Sequence, residues 1–545
     1  MTVAADPRPR VADAAPVLLR GGRIVDGTGA PARRGDLLIR DGRVARILPP
    51  TARHQRDIEI IDAGGLVVAP GFIDLHSHAD FTVESEPSAR GQLAQGVTSI
   101  VTGNCGLSPF PVDDLAALQA WTAFLGGRPS WRWRDTAGFA ERVAASQPAV
   151  NVLPLVGHIP VRIAAMGGDR RDPRPDELLL MRRLVAAAVQ QGSWGLSTGL
   201  IYAPGSFASQ EEVQALVSTT TETGALYATH MRDETARMLD ALEEAITAAT
   251  ATEHSARLQI SHLKAMGSAN HGIVPKALER IDAAHDAGVD IAADVYPYTA
   301  SATTLASRLP EWSLDGGLQE LCRRLQHEHT RVRIGADLTA RFENGDFDPA
   351  GIVLSGLRDG RFSSARGQSL TQLARSLGTS PADAALRVLA EHRGTVGIIN
   401  HAMSEEDVRA AVAHPLVAVA SDGGSLDPAG DGATHPRAFG TFPRVFANYV
   451  REERLLTLEE AVRKCTSLPA SRLGLRDRGV LREGAVADVI AFDPASFRDL
   501  ADYEQPRRLA TGVHAVIVSG RLAWSGGEST GTRAGQVLLR GAAGL

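Results

Sequence analysis

The peptide Pro70-Gly71-Phe72-Ile73-Asp74-Leu75-His76-Ser77-His78 ends a strand-like run in two histidines one residue apart. Positions i and i+2 of a strand share a face, so both imidazoles can reach one metal ion. Four more metal-compatible residues end apolar runs in the same way. They are Cys105 after Ile100-Val101-Thr102-Gly103-Asn104, His230 after Leu226-Tyr227-Ala228-Thr229, His262 after Leu258-Gln259-Ile260-Ser261, and Asp422 after Val417-Ala418-Val419-Ala420-Ser421. Zinc takes imidazole and thiolate ligands, and a reactive site keeps one position open for water. Cys105, His230 and His262 suit one tightly held ion, while His76 and His78 suit a second, with Cys105 able to bridge. Such an ion acidifies water and polarises a carbonyl oxygen, which together describe a metal hydrolase. Asp422 then suits the general base that carries the water's proton to a leaving nitrogen.

Each residue also has an ordinary reading. A lone strand-end histidine is usually a hydrogen-bonded structural residue, and a lone buried cysteine an inert small hydrophobe. The shared placement of all of them reverses those odds. His158 and His401 also follow apolar runs and can at most support the ligands from behind, whereas His54, His254 and His414 read as surface or helix-cap residues.

Elements of two kinds must position these side chains. From residue 17 to 69, short β runs are broken by Gly21-Gly22 and Asp41-Gly42, which supply turn geometry. The same texture returns over 478–530, at 487–492 and 514–522, and a further run at 536–539 could join it. The two ends therefore predict one composite β-sandwich domain, with residues 70–477 inserted into it.

Within that insert, eight strand-like runs (71–76, 98–103, 151–157, 194–199, 225–230, 258–262, 289–295 and 416–421) alternate with helical patterns. Asp176 to Gln191 has helical spacing, and Ser209-Gln210-Glu211-Glu212 fits a capping box. This order predicts an α/β fold, a (β/α)8 TIM-like barrel whose site lies at the C-terminal ends of its strands. Residues 299–368 break the rhythm and predict an insertion or lid over the site. Residues 1–16 read as a disordered tail and 531–545 as a C-terminal tail.

Composition narrows the class. The chain has 545 residues, is 44% hydrophobic, and carries 57 basic against 63 acidic residues for a net charge of −6. No block of like charge suggests a nucleic-acid partner, and no apolar stretch near the start is long enough for a signal sequence or a membrane span. Three cysteines, Cys105, Cys322 and Cys465, argue against a disulfide framework and for a reducing, cytoplasmic compartment. The oligomeric state, monomer or small homo-oligomer, stays open. Only Lys264, Lys276 and Lys464 are lysines.

These peptides resemble the amidohydrolase superfamily and, within it, the N-acyl-D-amino-acid deacylases (D-aminoacylases). The opening Val68-Ala69-Pro70-Gly71-Phe72-Ile73-Asp74-Leu75-His76-Ser77-His78 is superfamily-wide. More specific are Gly103-Asn104-Cys105-Gly106, Gly195 to Gly205, Thr229-His230-Met231-Arg232-Asp233-Glu234, Ser261-His262-Leu263-Lys264, Asp294-Val295-Tyr296-Pro297-Tyr298 and Ser421-Asp422-Gly423. Branches that bridge two metals with a carboxylated lysine at the end of strand four are excluded, because no lysine precedes Lys264. The resemblance places Cys105 at the metal bridge instead.

It also implies that Lys264, Tyr296 and Arg437 hold the α-carboxylate of a small-molecule N-acyl-D-amino acid. Such chemistry is sound, since Arg grips a carboxylate bidentately, Lys adds a point charge and Tyr donates a hydrogen bond. The expected activity is zinc-dependent release of free D-amino acids, with one zinc bound tightly and a second site weaker. Leu305, Leu309 and Trp312 suggest a neutral or hydrophobic side-chain pocket, with Arg308 the one cation in that stretch. Rival readings are another amide, such as a cyclic imide, a lactam or a β-aspartyl dipeptide, and a non-catalytic scaffold of the same fold.

Overall fold

The computed structural model describes residues 15–50, 58–221, 223–251, 255–431 and 433–541. His54, His254 and most of the expected N-terminal tail lie outside the described residues. Eight parallel strands surround the centre: Phe72–Asp74, Val97–Thr102, Asn151–Pro154 continued by Val156–Gly157, Gly195–Gly199, Leu226–His230, Arg257–Ile260, Ile291–Val295 and Val417–Val419. Strands one to three form one sheet and strands three to eight another, each pairing in parallel with the next. The third strand belongs to both. The last and first strands meet beyond their ends through a parallel bridge between Ser77 and Gly423, with Asp422 N donating to His76 O at 2.8 Å. Strands covered on both faces need apolar residues throughout, which is why these runs read as continuous hydrophobic stretches.

Helices such as Pro175–Gln190 and Gln210–Thr221 fill the connections. The expected capping box is only half formed. Ser209 accepts from Glu212 N at 3.4 Å, but the Glu212 carboxylate turns inward to His158 Nε2 at 2.7 Å and to Arg162. A buried histidine and arginine outbid one backbone N–H for that charge.

The chain ends do share a sheet. Val17–Ile24, Arg33–Arg40, Arg43–Leu48, Glu59–Asp62 and Val67–Pro70 join Val489–Phe492, Val513–Val518, Arg521–Ser525 and Glu528–Ser529 in one nine-stranded sheet. Val67–Pro70 pairs antiparallel with Val489–Phe492, which ties the end of the first segment to the start of the last. Leu19, Leu37, Val44, Val68, Val489 and Ile517 form its core.

Residues 536–539 do not join it. Val537 bridges Val152 of barrel strand three, Leu538 N donates to Val152 O, and Trp194 Nε1 donates to Leu538 O at 2.6 Å. This end of the chain therefore latches the barrel and is no free tail over 535–540.

The insertion is longer than its sequence suggests. Ala300–Thr304, Gly397–His401 and Ile352–Gly356 form an antiparallel sheet with Gly397–His401 in the middle. Helices Leu318–Gln326, Glu328–Glu343, Leu370–Leu377 and Pro381–Glu391 pack with it around Leu321, Leu338, Leu354, Leu389 and Ile398. The helices after residue 368 carry the same periodicity as barrel helices, so local pattern alone misplaces the end of this unit. Among the described residues no helix is long and apolar enough to cross a membrane.

Candidate metal centre and substrate cavity

Three of the expected site residues turn sharply as their strands end. Cys105, His262 and Asp422 have φ of 54°, 36° and 51°, a left-handed conformation that costs a non-glycine residue about 1 kcal/mol or more. Each turn redirects a side chain toward the barrel axis. Close backbone contact enforces it at Cys105, because a Cβ on Gly199 would lie 1.9 Å from Cys105 O and one on Gly106 2.6 Å from Gly199 N. Only glycine fits at either position.

The structure brings His76, His78, Cys105 and Asp422 into one group, and Cys105, His230 and His262 into another. Within each group the donor atoms lie within 4.8 Å of one another, and Cys105 belongs to both. Cys105 Sγ is 3.2 Å from His76 Nε2 and 3.3 Å from His262 Nε2. Asp422 Oδ1 is 3.1 Å from His78 Nε2 and 3.5 Å from His76 Nε2. Both ring nitrogens of His230 are buried without a hydrogen-bond partner, a costly state for an imidazole unless one of them binds a ligand. A thiolate with imidazoles is the donor set zinc accepts, so these residues fit such an ion.

The local charges agree. Burial opposes ionisation of Cys105, but the adjacent His76 and His262 imidazoles hold its thiol well below the usual range. Burial likewise opposes the Asp422 carboxylate, and Arg437, His76 and His78 overcome it and keep Asp422 ionised.

Acidic residues absent from the candidate list hold this arrangement. Asp294, from strand seven, lies 3.2 Å from His76 Nδ1 and accepts from His262 N at 2.8 Å and Gln259 Nε2 at 2.9 Å. Glu234 accepts from Lys264 Nζ at 2.5 Å and lies 3.2 Å from His262 Nδ1 and 3.4 Å from His230 Nε2. Asp74 accepts from Ser421 N at 2.8 Å and Ser421 Oγ at 2.5 Å, which joins strand eight to strand one. Such carboxylates fix the orientation of imidazole ligands. Their signal in the sequence is weaker than that of the ligands, a polar residue inside a buried run or a few positions past it.

The three residues expected at a substrate carboxylate line one cavity with His78, His230, His262 and Asp422, about 330 Å³ in volume. Arg437 NH1 lies 2.8 Å from Asp422 Oδ2, and its guanidinium sits 4.8 Å from the centre of the Tyr296 ring. Lys264 Nζ is 2.8 Å from His262 Nδ1 and 5.9 Å from that ring. The Tyr296 hydroxyl is buried and unpartnered.

The model of the amidohydrolase family matches residues 59–523, most of the chain. The chain belongs to the amidohydrolase family. It is 35% identical to the N-acyl-D-aspartate deacylase of Alcaligenes xylosoxydans xylosoxydans over 96% of this chain and 95% of the relative. It is 36% identical to the D-aminoacylase of the same organism over 97% and 98%. Among solved structures, N-acyl-D-glutamate deacylase from Bordetella bronchiseptica, complexed with zinc and a phosphonate inhibitor that mimics the tetrahedral intermediate, superposes with a TM-score of 0.82. It is 34% identical, covering 97% of this chain and all of that one.

In this amidohydrolase the three residues expected to form a neutral side-chain pocket lie away from the cavity. Leu305 and Leu309 are buried in the core of the insertion, and Trp312 donates to Asp337 Oδ2 at 3.0 Å under the Arg333 guanidinium; none of the three lines the cavity. Arg308 does line it. The short helical turn Leu305–Arg308 and the Leu309 that caps it bury both leucines in the insertion core and leave Arg308 toward the cavity. Its guanidinium stacks 4.5 Å from the Phe347 ring and is 3% exposed, and no carboxylate among the described residues lies within ion-pair distance. Of the other histidines, His158 is bound by Glu212, His401 packs against the Tyr503 ring, and His414 pairs with Asp282 at 3.1 Å. None of them touches the donor group.

Proposed function

We propose that this amidohydrolase is a zinc-dependent deacylase that hydrolyses N-acyl-D-amino acids, and that its substrates carry an acidic side chain. The observation that carries the reading is a single cavity that His78, His230, His262 and Asp422 of the two donor groups line together with Lys264, Tyr296, Arg437 and Arg308. The deacylases of N-acyl-D-amino acids among its relatives support the activity and the D configuration. Arg308, buried without a counter-charge, supports the acidic side chain in place of the neutral one suggested by the leucines.

Cys105, His230 and His262 would hold one ion, and His76 and His78, sharing Cys105, a second. A zinc ion bound there supplies Lewis acidity, polarising the acyl oxygen and acidifying water. Lys264, Tyr296 and Arg437 bind the α-carboxylate and so fix the amide against the donor group. Tyr296 contributes its unpartnered hydroxyl as a donor to that carboxylate. Asp422 accepts the proton of the attacking water and passes it to the amide nitrogen, which leaves as a free amine. Asp294 and Glu234 keep the imidazoles oriented throughout.

The test is a substrate panel with the zinc-loaded protein: N-acetyl-D-Glu, N-acetyl-D-Asp, N-acetyl-D-Leu, their L forms, and a cyclic imide. Hydrolysis of the acidic D substrates above the others is expected. Turnover of the cyclic imide alone would overturn the deacylase reading, and preference for N-acetyl-D-Leu would overturn the role of Arg308.

A further inference from the structure

Beside the substrate cavity lies a smaller, apolar one of about 30 Å³, which the roles assigned so far leave unused. Leu107, Phe124 and Tyr202 belong to the walls of both. Trp121, Leu314 and Leu318 are among the others, so the cavity joins the loop after strand two to the insertion. The partition is aromatic: the Tyr202 ring meets the His230 ring edge-on at 5.2 Å on one side and stacks on the Phe124 ring at 5.8 Å on the other. Tyr202 is pinned there by its hydroxyl, 2.9 Å from Thr303 Oγ1.

The position of this cavity relative to the donors decides its occupant. The groups assigned to the α-carboxylate gather on the side of the centre formed by His262 and Asp422, with Arg437 against Asp422 and Lys264 against His262. Leu107 and Tyr202 stand beside Cys105 and His230 instead. A substrate held by its carboxylate, with its amide carbon at the donor group, sends its acyl chain away from the carboxylate and toward Tyr202.

We propose that this apolar cavity is the acyl-chain subsite, and that the enzyme favours N-acyl groups of about four carbons over acetyl. The proposal rests on the deacylase reading above. Each methylene that enters an apolar site is worth about fourfold in kcat/KM, so butanoyl, with two more than acetyl, should exceed it by about 15-fold.

The experiment measures kcat/KM for N-acetyl-, N-butanoyl- and N-hexanoyl-D-Glu with wild type, Ala120→Phe and Leu318→Ala. Ala120 is an exposed helix residue at the edge of the cavity, so a phenylalanine there can plug it without disturbing the core. Ala120→Phe is expected to remove the gain from acetyl to butanoyl and leave N-acetyl turnover within about twofold. Leu318→Ala, which widens the cavity, should shift the preference toward hexanoyl. Acetyl hydrolysis with rates that fall along the series in wild type overturns the subsite alone. A plug that alters preference between D-Glu and D-Leu at constant acetyl overturns it too, because the cavity would then hold the side chain. Absence of turnover on every acyl group overturns the deacylase reading and the subsite with it.

Discussion

Replacing Arg308 by methionine tests the side-chain assignment most directly. The buried guanidinium has no acidic partner among the described residues, and burial together with the nearby Arg341 brings its pKa from the ordinary guanidinium range down to about 10. That drop of more than two decades corresponds to about 3 kcal/mol carried by the folded protein to keep the charge inside. Stacking on Phe347 returns about 1 kcal/mol of it. A substrate carboxylate would supply the missing partner, and a hydrogen bond to a charged group is worth about 1.5–3 kcal/mol, or about 10- to 150-fold in binding.

Methionine keeps an unbranched stem over Phe347 and removes the charge. Arg308→Met should therefore lower kcat/KM for N-acetyl-D-Glu by about 10- to 100-fold and change N-acetyl-D-Leu by less than about threefold. Without substrate the variant should be more stable than wild type, by about 2 kcal/mol, in the way that functional strain is commonly relieved. Steady-state kinetics on both substrates and thermal unfolding of the zinc-loaded proteins read these together. Equal losses on both substrates, or a variant less stable than wild type, would refute the argument that Arg308 waits for an anion.

Asp422→Asn should keep its zinc and lose about 10³-fold or more in kcat at nearly unchanged KM, since a general base contributes about 10² to 10⁴; appreciable residual turnover removes Asp422 from that role. Cys105→Ala should lose tightly held zinc after dialysis, read by elemental analysis, and unchanged metal content defeats its assignment as a ligand. Lys464 donates to His414 O and Val417 O inside the protein, and burial depresses its pKa to about 7. The unfolded chain then binds more protons than the folded one between about pH 7 and pH 10.5, so this residue's contribution to stability rises with pH across that window. The stability of Lys464→Met relative to wild type should fall over the same range, by at most about 1.4 kcal/mol per pH unit, in paired denaturant titrations at pH 7 and 9.

Much of the site was legible because its ingredients are local. A buried parallel strand needs an unbroken apolar run, and a polar residue at the end of that run must face either water or a site. His76, His78, Cys105, His230, His262 and Asp422 all carry that signature, and the structure gathers them although 346 positions separate the first from the last. Asp294, inside the strand Ile291–Val295, and Glu234, four residues past His230, do not carry it. In the sequence such an acid looks like any solvated carboxylate until its partner across the barrel is known. Glu234 meets Lys264, 30 residues away, and Asp74 meets Ser421, 347 residues away.

The sequence by itself determined the strand order, the pairing of the two chain ends and the chemistry of the donor residues, because each follows from hydrophobic period and residue type. Only the tertiary structure decided which residues of the stretch after Thr299 line the cavity. Leu305, Leu309 and Trp312 were the expected pocket, yet the insertion buries its leucines in its own core and leaves Arg308 facing the cavity. The same holds for residues 536–539, whose apolar pattern suits a strand in the terminal sheet but whose partner is Val152 of the barrel. Period fixes what a segment can bury; the surface it is buried against depends on contacts hundreds of residues away.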